Sequence, residues 1–532
     1  MKFLQDISPR EYQKAIFESC IKDNCLVVLP TGLGKTLIAL MLSIKRMQEF
    51  PGEKVVFLAP TKPLAEQHHE YFKKHLPELF AEITLFTGQV PSNKRKTLWN
   101  ASDIVFSTPQ CVANDLKKNL YNLNEVCLLV EDEAHRCIKN YDYNFLAKNY
   151  IFQAKHPRIL GLTASPGSEK QRIKEICKNL SINSVELRTR YSPDVKSYLQ
   201  ELEFEKIEVQ FPAEFEEIRH VLKKLFNRYV EELRSRKVLF GYASKTELLK
   251  LQKKISGTLI RGNKNYNYFH AASACAQAIK IQHALELLET QTLTSFNKYL
   301  KKLFNEASKQ KSKGVVKLVA KPEFNFAYSS SNELLIKEQE HPKIKKVLEI
   351  LKQEILKNEN FKAIVFTQFR ETATTISKNL NSLLDTNIKA KVFVGQAKKS
   401  SEDPLKKSGE STTYTGLSQK QQKKIIQDFA DGKINIICAT SIGEEGLDIP
   451  EVNAVIFYEP VPSAIRKIQR AGRTARLMKG KLIVLITKNT RDETFHYVAR
   501  SREKKMHSAI HTIKKELSQG KSLIKDLQKK LS

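Results

Sequence analysis

Cysteine is sparse and shows no pattern. The eight cysteines, at 20, 25, 111, 127, 137, 177, 275 and 438, include no CxxC pair, which argues against a zinc site. Their scatter suits free thiols in a reducing compartment. Long apolar runs are lacking too. No stretch approaches the roughly 20 residues needed to cross a bilayer, and Met1-Lys2-Phe3-Leu4-Gln5-Asp6 has no apolar signal core. The expectation is a cytoplasmic protein with no membrane partner. Acid is scarce: 58 Asp and Glu stand against 89 Lys and Arg, a net charge of +31. That excess implies a polyanionic partner, nucleic acid first. A solvated basic surface is the plain alternative.

What is present is a chain of 532 residues, too long for one core and suited to roughly three or four domains. Residues 1–192 alternate helical periods with short apolar runs: Cys25–Leu29, Val55–Leu58, Ile104–Phe106, Val126–Val130 and Ile159–Leu162. Runs so uniformly apolar predict a parallel sheet covered by helices on both faces. Residues 193–337 change character. Phe215, Ile218, Leu222, Leu225 and Tyr229 fall on one helical stripe, as do Leu293, Phe296, Leu300, Leu303 and Ala307. Ile281, Leu285 and Leu288 mark a further helix. This stretch reads as an all-α insert, rich in lysine. Strand and helix alternation returns over 338–500, with strands at Ala363–Phe366, Val392–Val394, Ile434–Cys438, Ala454–Tyr458 and Leu482–Ile486. Residues 397–416 read as a loop. Residues 501–532 form a basic helical tail with a stripe of Ile510, Ile513, Leu517, Ile524, Leu527 and Leu531.

Three motifs carry chemistry. Pro30-Thr31-Gly32-Leu33-Gly34-Lys35-Thr36 follows the first apolar run. A loop entering a helix offers unpaired amides to phosphate, and Gly32 and Gly34 let the backbone approach. Lys35 suits the β- and γ-phosphates and the Thr36 hydroxyl suits Mg²⁺. Leu29 stands where the general G-x-x-x-x-G-K-[ST] pattern has its first glycine, so a turn that binds nothing is the bland reading. Asp132 and Glu133 follow an apolar strand, at the edge where ligands bind an open α/β sheet. Asp132 would hold the metal and Glu133 would orient and deprotonate water. Arg473 and Arg476 lie one helical turn apart, far along the chain from Lys35. They suit the charge that develops on a transferring phosphoryl group. The site is then split between two domains and completed by closure.

These residues resemble superfamily 2 DEAH-box helicases. Arg10 and Gln13 in Arg10-Glu11-Tyr12-Gln13 look like the glutamine motif that reads adenine. Asp132-Glu133-Ala134-His135 is the DEAH box. Thr163-Ala164-Ser165 looks like the motif that couples ATP to nucleic acid, with Thr163 and Ser165 the coupling residues. Ala439 to Asp448 resembles the fifth motif, which puts Asp448 at the nucleotide, and Gln469 to Arg476 the sixth, which adds Gln469. Longer runs, Leu162-Thr163-Ala164-Ser165-Pro166-Gly167, Phe393-Val394-Gly395-Gln396-Ala397 and Phe457 to Arg466, are similar to the archaeal Hef helicase and eukaryotic FANCM. The resemblance implies two RecA-like parallel-sheet domains with the helical insert between them. It also implies an ATP-dependent DNA helicase or translocase, with ATP and Mg²⁺, that works on forked or branched DNA in fork processing and repair. The insert should grip duplex near the junction. Thr61, Lys62, Thr108, Gln368, Arg370 and Thr440 would face the sugar–phosphate backbone, so binding should be largely independent of sequence.

The resemblance has two departures. Hef continues into an XPF-like nuclease, and no E-R-K-x-x-x-D run is present here, so no nuclease activity is expected. Ala471 and Ala475 replace the family's frequent Arg and Gly in the sixth motif, at positions that should carry no chemistry. The tail then has two readings: a helix docked on its own domain, or a partner-binding helix for a separate XPF-like nuclease subunit. Two other functions compete with the first. One is a duplex-RNA-stimulated ATPase of the Dicer and RIG-I-like type, whose usual Cys-rich zinc domain is missing here. The other is a catalytically inactive nucleic-acid-binding scaffold, against which the intact set of Lys35, Asp132, Glu133, Arg473 and Arg476 argues.

Overall fold

The computed structural model describes residues 3–261, 265–310, 312–383, 387–396, 416–440, 449–463, 470, 474 and 479–519. Thirteen named strands fall into two sheets. In chain order they are β1 (Cys25–Val28), β2 (Lys54–Leu58), β3 (Ile83–Phe86), β4 (Ile104–Ser107), β5 (Val126–Asp132), β6 (Ile159–Thr163) and β7 (Ser184–Leu187). There follow β8 (Leu202–Val209), β9 (Ala363–Phe366), β10 (Ala390–Phe393), β11 (Ile436–Ala439), β12 (Ala454–Phe457) and β13 (Gly480–Thr487).

The first sheet has the order β3-β4-β2-β5-β6-β1-β7, and every pairing in it is parallel. Successive residues of β1 enter opposite cores. Cys25 and Val27 pack with the helices Glu11–Lys22 and Lys35–Glu49, while Leu26 and Val28 pack with the helices on the other face. Both faces are dry, as the continuous apolar runs predict. The second sheet, β10-β11-β9-β12-β13-β8, is also parallel throughout. The fold is therefore two RecA-like α/β sheets with a helical bundle between them in the chain.

The bundle runs through helices Ala213–Ser235, Lys245–Ile260, Tyr266–Thr290, Leu293–Ser308, Lys313–Val319 and Pro322–Ile336. The stripe residues Phe215, Ile218, Leu222, Leu225, Phe296, Leu300 and Leu303 are its core. One expectation needs correction. Residues 202–209, read as part of the all-α insert, are β8, and they pair with β13 at the edge of the second sheet. The strand reads Leu-Glu-Phe-Glu-Lys-Ile-Glu-Val. Its charged positions face water, so it lacks the apolar run of a central strand.

The bundle is fastened to the second sheet by buried polar contacts. Lys343 Nζ, fully buried, donates to Asp492 Oδ2 at 2.8 Å and to the Thr290 carbonyl at 2.7 Å. Thr367 and Thr372 hydroxyls both donate to Gln291 Oε1. The last described helix is one continuous rod, Arg491–Ser518, which crosses the boundary expected near residue 500. It leaves the second sheet, and its Met506, Ala509, Ile510 and Ile513 enter the core of the first. Of the stripe read on the tail, Ile510 and Ile513 are thus covered by the other lobe rather than by their own domain; Ile524, Leu527 and Leu531 lie outside the described residues. Among the described residues no helix is long and apolar enough to cross a membrane. All eight cysteines are free and buried.

Candidate nucleotide site and nucleic-acid face

The loop between β1 and helix Lys35–Glu49 has Gly32 and Gly34 at positive φ, +83° and +77°. Gly34 is the residue just before the helix, and a Cβ there would lie 2.2 Å from Gln13 Nε2. A side chain at 34 is therefore strained by the backbone conformation and would require Gln13 to move. Gln13 explains the crowding. Its Nε2 donates to the Leu33 carbonyl at 3.1 Å, Tyr12 donates its hydroxyl to the same oxygen at 2.8 Å, and the Arg10 amide donates to Gln13 Oε1 at 2.8 Å. The glutamine segment thus braces the phosphate loop from behind. The Arg10 guanidinium lies over the Tyr198 ring, 5.0 Å from its centroid. Lys35 Nζ reaches back to the Leu29 carbonyl at 2.9 Å. Thr31 Oγ1 is shut from solvent with no hydrogen-bond partner.

β5 ends at Asp132, between β2 and β6, so it delivers the acidic pair to the carboxyl edge of the sheet beside the loop. The buried Tyr143 hydroxyl donates to the carbonyls of Asp132 (2.7 Å) and Leu58 (3.2 Å), pinning the ends of β5 and β2 together. Glu133 then turns at φ +52°. His135 Nδ1 lies 3.1 Å from Glu133 Oε2 and 3.2 Å from Thr163 Oγ1. The DEAH histidine therefore joins the expected water-activating carboxylate to the expected coupling motif. The Ser165 amide donates to Thr163 Oγ1 at 3.1 Å.

Asp132 is buried, which opposes its charge. Its bond from His68 and the nearby charge of Lys35 outweigh this and hold its carboxyl below the usual range. His68 was not singled out by sequence. It lies in the helix Lys62–His75, and its ring touches both Asp132 and Thr36. Glu131 was missed as well. It is fully buried one residue ahead of the DEAH box, and burial pushes its pKa well up. Alternation along β5 puts it on the face opposite to Asp132. Nothing in the spacing of the motif marks either residue.

The expected nucleic-acid contacts follow successive strand ends. Thr61 follows β2, Thr108 follows β4, Gln368 follows β9 and Thr440 follows β11. Thr61 and Thr108 each precede a helix yet make no side-chain cap bond, and Thr61 Oγ1 has no partner. Lys62 Nζ donates to Gln89 Oε1 at 2.7 Å, and Arg370 donates to the Gly395 carbonyl at 2.8 Å. The Gln368 amide donates to the buried carboxylate of Glu459. On the insert, Lys223, Lys224, Lys253, Lys254 and Lys302 are exposed, whereas Lys245 is paired with Glu286. Asp448, Gln469, Arg473 and Arg476 lie outside the described residues. Arg470, within the sixth motif, is buried with its guanidinium over Phe366 (4.9 Å) and Phe457 (5.7 Å).

The chain is similar to known proteins along nearly all its length. Residues 10–173 match the DEAD/DEAH box helicase family and residues 343–478 the helicase conserved C-terminal domain. Residues 214–341 match the helical bundle of a putative ATP-dependent RNA helicase. The crystal structure of the Pyrococcus furiosus Hef helicase domain superposes with a TM-score of 0.68 at 40% identity, covering 92% of this chain and 98% of that one. The chain belongs to the Hef-type DEAD/DEAH box helicases. Two curated relatives share the pattern. The putative ATP-dependent RNA helicase MJ1505 of Methanocaldococcus jannaschii is 36% identical over 507 residues, 94% of this chain and 60% of its own length. The Fanconi anemia group M protein homolog of Mus musculus is 31% identical over 538 residues, 94% of this chain and 26% of its own length. The chain therefore spans less than two thirds of either relative.

Proposed function

We propose that this helicase hydrolyses ATP to translocate on DNA and to unwind or remodel forked and branched junctions, in fork processing and repair. One observation carries the reading: two histidines stand between the three motifs, His68 between Thr36 of the phosphate loop and Asp132, and His135 within 3.2 Å of both Glu133 and Thr163 of the coupling motif. A site wired in this way to the motif beside the nucleic-acid edge suits hydrolysis coupled to movement. Lys35 neutralises phosphate, Glu133 orients and deprotonates the attacking water, and Arg473 and Arg476 stabilise the charge that develops on the transferring phosphoryl group. Thr36 and Asp132 would supply the hard oxygen donors that Mg²⁺ takes, and the ion held there would neutralise charge on the phosphates. Thr61, Lys62, Thr108, Gln368, Arg370 and Thr440 hold the backbone of one strand without reading its bases. The exposed lysines of the insert add affinity through counterion release. The eight buried thiols suit the cytoplasm.

One relative, of Schizosaccharomyces pombe, is named the ATP-dependent DNA helicase fml1 and another the putative ATP-dependent RNA helicase MJ1505, so both nucleic acids enter the test. ATP turnover is measured with single-stranded, forked and four-way DNA and with duplex RNA. Strongest stimulation by forked or four-way DNA is the expected result; stronger stimulation by RNA reverses the substrate. Lys35→Ala should abolish turnover and leave DNA binding largely intact, and Glu133→Gln should bind ATP and stall. Full turnover in Lys35→Ala would overturn the site. A separate XPF-like nuclease partner is tested by pull-down with residues 520–532 deleted, which leaves the core residues Met506, Ile510 and Ile513 in place. Unchanged nuclease recovery defeats that use of the tail.

A further inference from the structure

His68 lies on the inner face of the helix Lys62–His75 and is nearly buried, with its ring centroid 4.5 Å from that of Phe57. Its Nε2 is 2.9 Å from Asp132 Oδ2 and its Nδ1 is 3.3 Å from Thr36 Oγ1. One imidazole thus spans the two residues that offer oxygen to a nucleotide-bound Mg²⁺. They come from different elements, the start of helix Lys35–Glu49 and the end of β5. An ionised carboxylate only accepts, so Nε2 carries the proton shared with Asp132. The other ring nitrogen, Nδ1, faces the Thr36 hydroxyl.

We propose that His68 is a positioning residue of the metal site, holding Asp132 and Thr36 so that the second carboxylate oxygen and the hydroxyl lone pairs face the ion. The inference rests on the reading of this pocket as a Mg²⁺–nucleotide site. The chemistry is that of an outer-shell group: histidine touches the ligands and not the metal, fixing their orientation before the ion arrives. The same helix begins at Thr61 and Lys62, the expected nucleic-acid contacts, two turns away. Movement of that helix under a bound strand would therefore be felt first at the two metal ligands.

The test uses the full chain, a fluorescent ADP analogue and titration with MgCl₂, with a parallel measurement in EDTA. Wild type and His68→Ala are compared. Outer-shell partners are typically worth about 10- to 100-fold in metal affinity, so His68→Ala should raise the Mg²⁺ concentration for half-maximal binding by about tenfold or more. Nucleotide affinity in EDTA should stay within about twofold. A Mg²⁺ requirement unchanged within about twofold overturns the proposal. If His68→Ala lowers the melting midpoint and weakens binding in EDTA as well, His68→Gln decides. Its amide nitrogen can donate to Asp132 in place of the ring Nε2, so a Mg²⁺ requirement nearer to the wild type than that of His68→Ala, with normal EDTA binding, supports the proposal. Equal losses with and without metal in that variant overturn it. Mn²⁺ in place of Mg²⁺ adds a spectroscopic arm: nitrogen coupling to bound Mn²⁺ that disappears in His68→Gln would make His68 a ligand and overturn the positioning role. Should the wild type bind no nucleotide even with Mg²⁺, the nucleotide reading itself fails and takes this inference with it.

Discussion

Ser165 Oγ donates to the sulfur of Met506 at 2.9 Å, across 341 residues of sequence. The serine belongs to the motif expected to couple ATP to nucleic acid, and the methionine to the helix that arrives from the second sheet. Around this contact Lys170 and Lys174 pair with Glu516, and Lys514 lies 3.4 Å from Glu186. The helix is thus a strap between the lobes, anchored beside Asp492 at one end and in the first core at the other. Met506 is 1% exposed. Replacing a buried Met with Ala costs about 2–5 kcal/mol. Met506→Ala should therefore lower the melting midpoint, and fork-stimulated ATP turnover should fall further than unstimulated turnover. Calorimetry and paired turnover assays check this. Equal losses in both turnovers would leave the strap a purely structural element.

Gly34 and Gly52 make a matched comparison for the phosphate loop. Both have positive φ, +77° and +85°. A Cβ at 34 collides with Gln13 Nε2 at 2.2 Å, while a Cβ at 52 meets nothing within 4 Å. Left-handed backbone costs a non-glycine residue about 1–2 kcal/mol at either position. Gly52→Ala should therefore show that cost in urea unfolding and keep nucleotide affinity. Gly34→Ala should add at least tenfold weaker binding of nucleotide, because the Gln13 brace must shift. Similar affinities in the two variants would mean that the brace does not shape the loop.

The central strands were legible and three of the four edges were not; the fourth edge, β10, was marked by the run Val392–Val394. β1, β2, β4, β5 and β6 appear in the sequence as apolar runs because both their faces are dry. β3, β7 and β8 were overlooked, and all three are edge strands. Half of such a strand faces water, so Glu203, Glu205 and Glu208 break the pattern in β8. The phosphate loop and DEAH box were readable because each is contiguous, with fixed offsets. His68 was not, since its role depends on a helix face meeting two distant segments. The same holds for Met506: its stripe showed an amphipathic helix, and periodicity does not name the surface it covers.

Lys343 and Asp492 form an ion pair with neither side chain exposed. The ammonium also lies over the Tyr458 ring, 4.7 Å from its centroid. Asp492 accepts from the Thr487 amide at 3.0 Å. Removing one partner of a buried pair leaves an uncompensated charge and costs about 3–5 kcal/mol. Lys343→Met alone should lose that much in urea unfolding. Lys343→Met with Asp492→Asn should recover most of it, since the amide oxygen still accepts from Thr487. If the double variant is no better than the single, the packing of Lys343 matters more than its charge, and the insert is held by shape.

Glu459 gives the fold a pH dependence of definite sign. It is buried near Lys343, Arg470 and Asp492, and its carboxylate accepts from the Gln368 amide. Burial raises its pKa from the ordinary 4.5 to about 7, against the pull of Lys343 and Arg470. The folded protein therefore holds a proton that the unfolded chain releases between those values. Stability contributed by this group is intact below pH 4.5, declines as pH rises towards 7, and is fully lost above it. The loss amounts to about 3 kcal/mol. Glu459→Gln keeps an oxygen for the Gln368 amide and never ionises. It should match the wild type in urea unfolding at pH 4.5 and exceed it by up to about 3 kcal/mol at pH 8. A variant equally stable or weaker at pH 8 would mean that the ionised carboxylate is stabilised by Lys343 and Arg470 after all. The expected Gln368 contact to nucleic acid would then stand on a charged support rather than a neutral one.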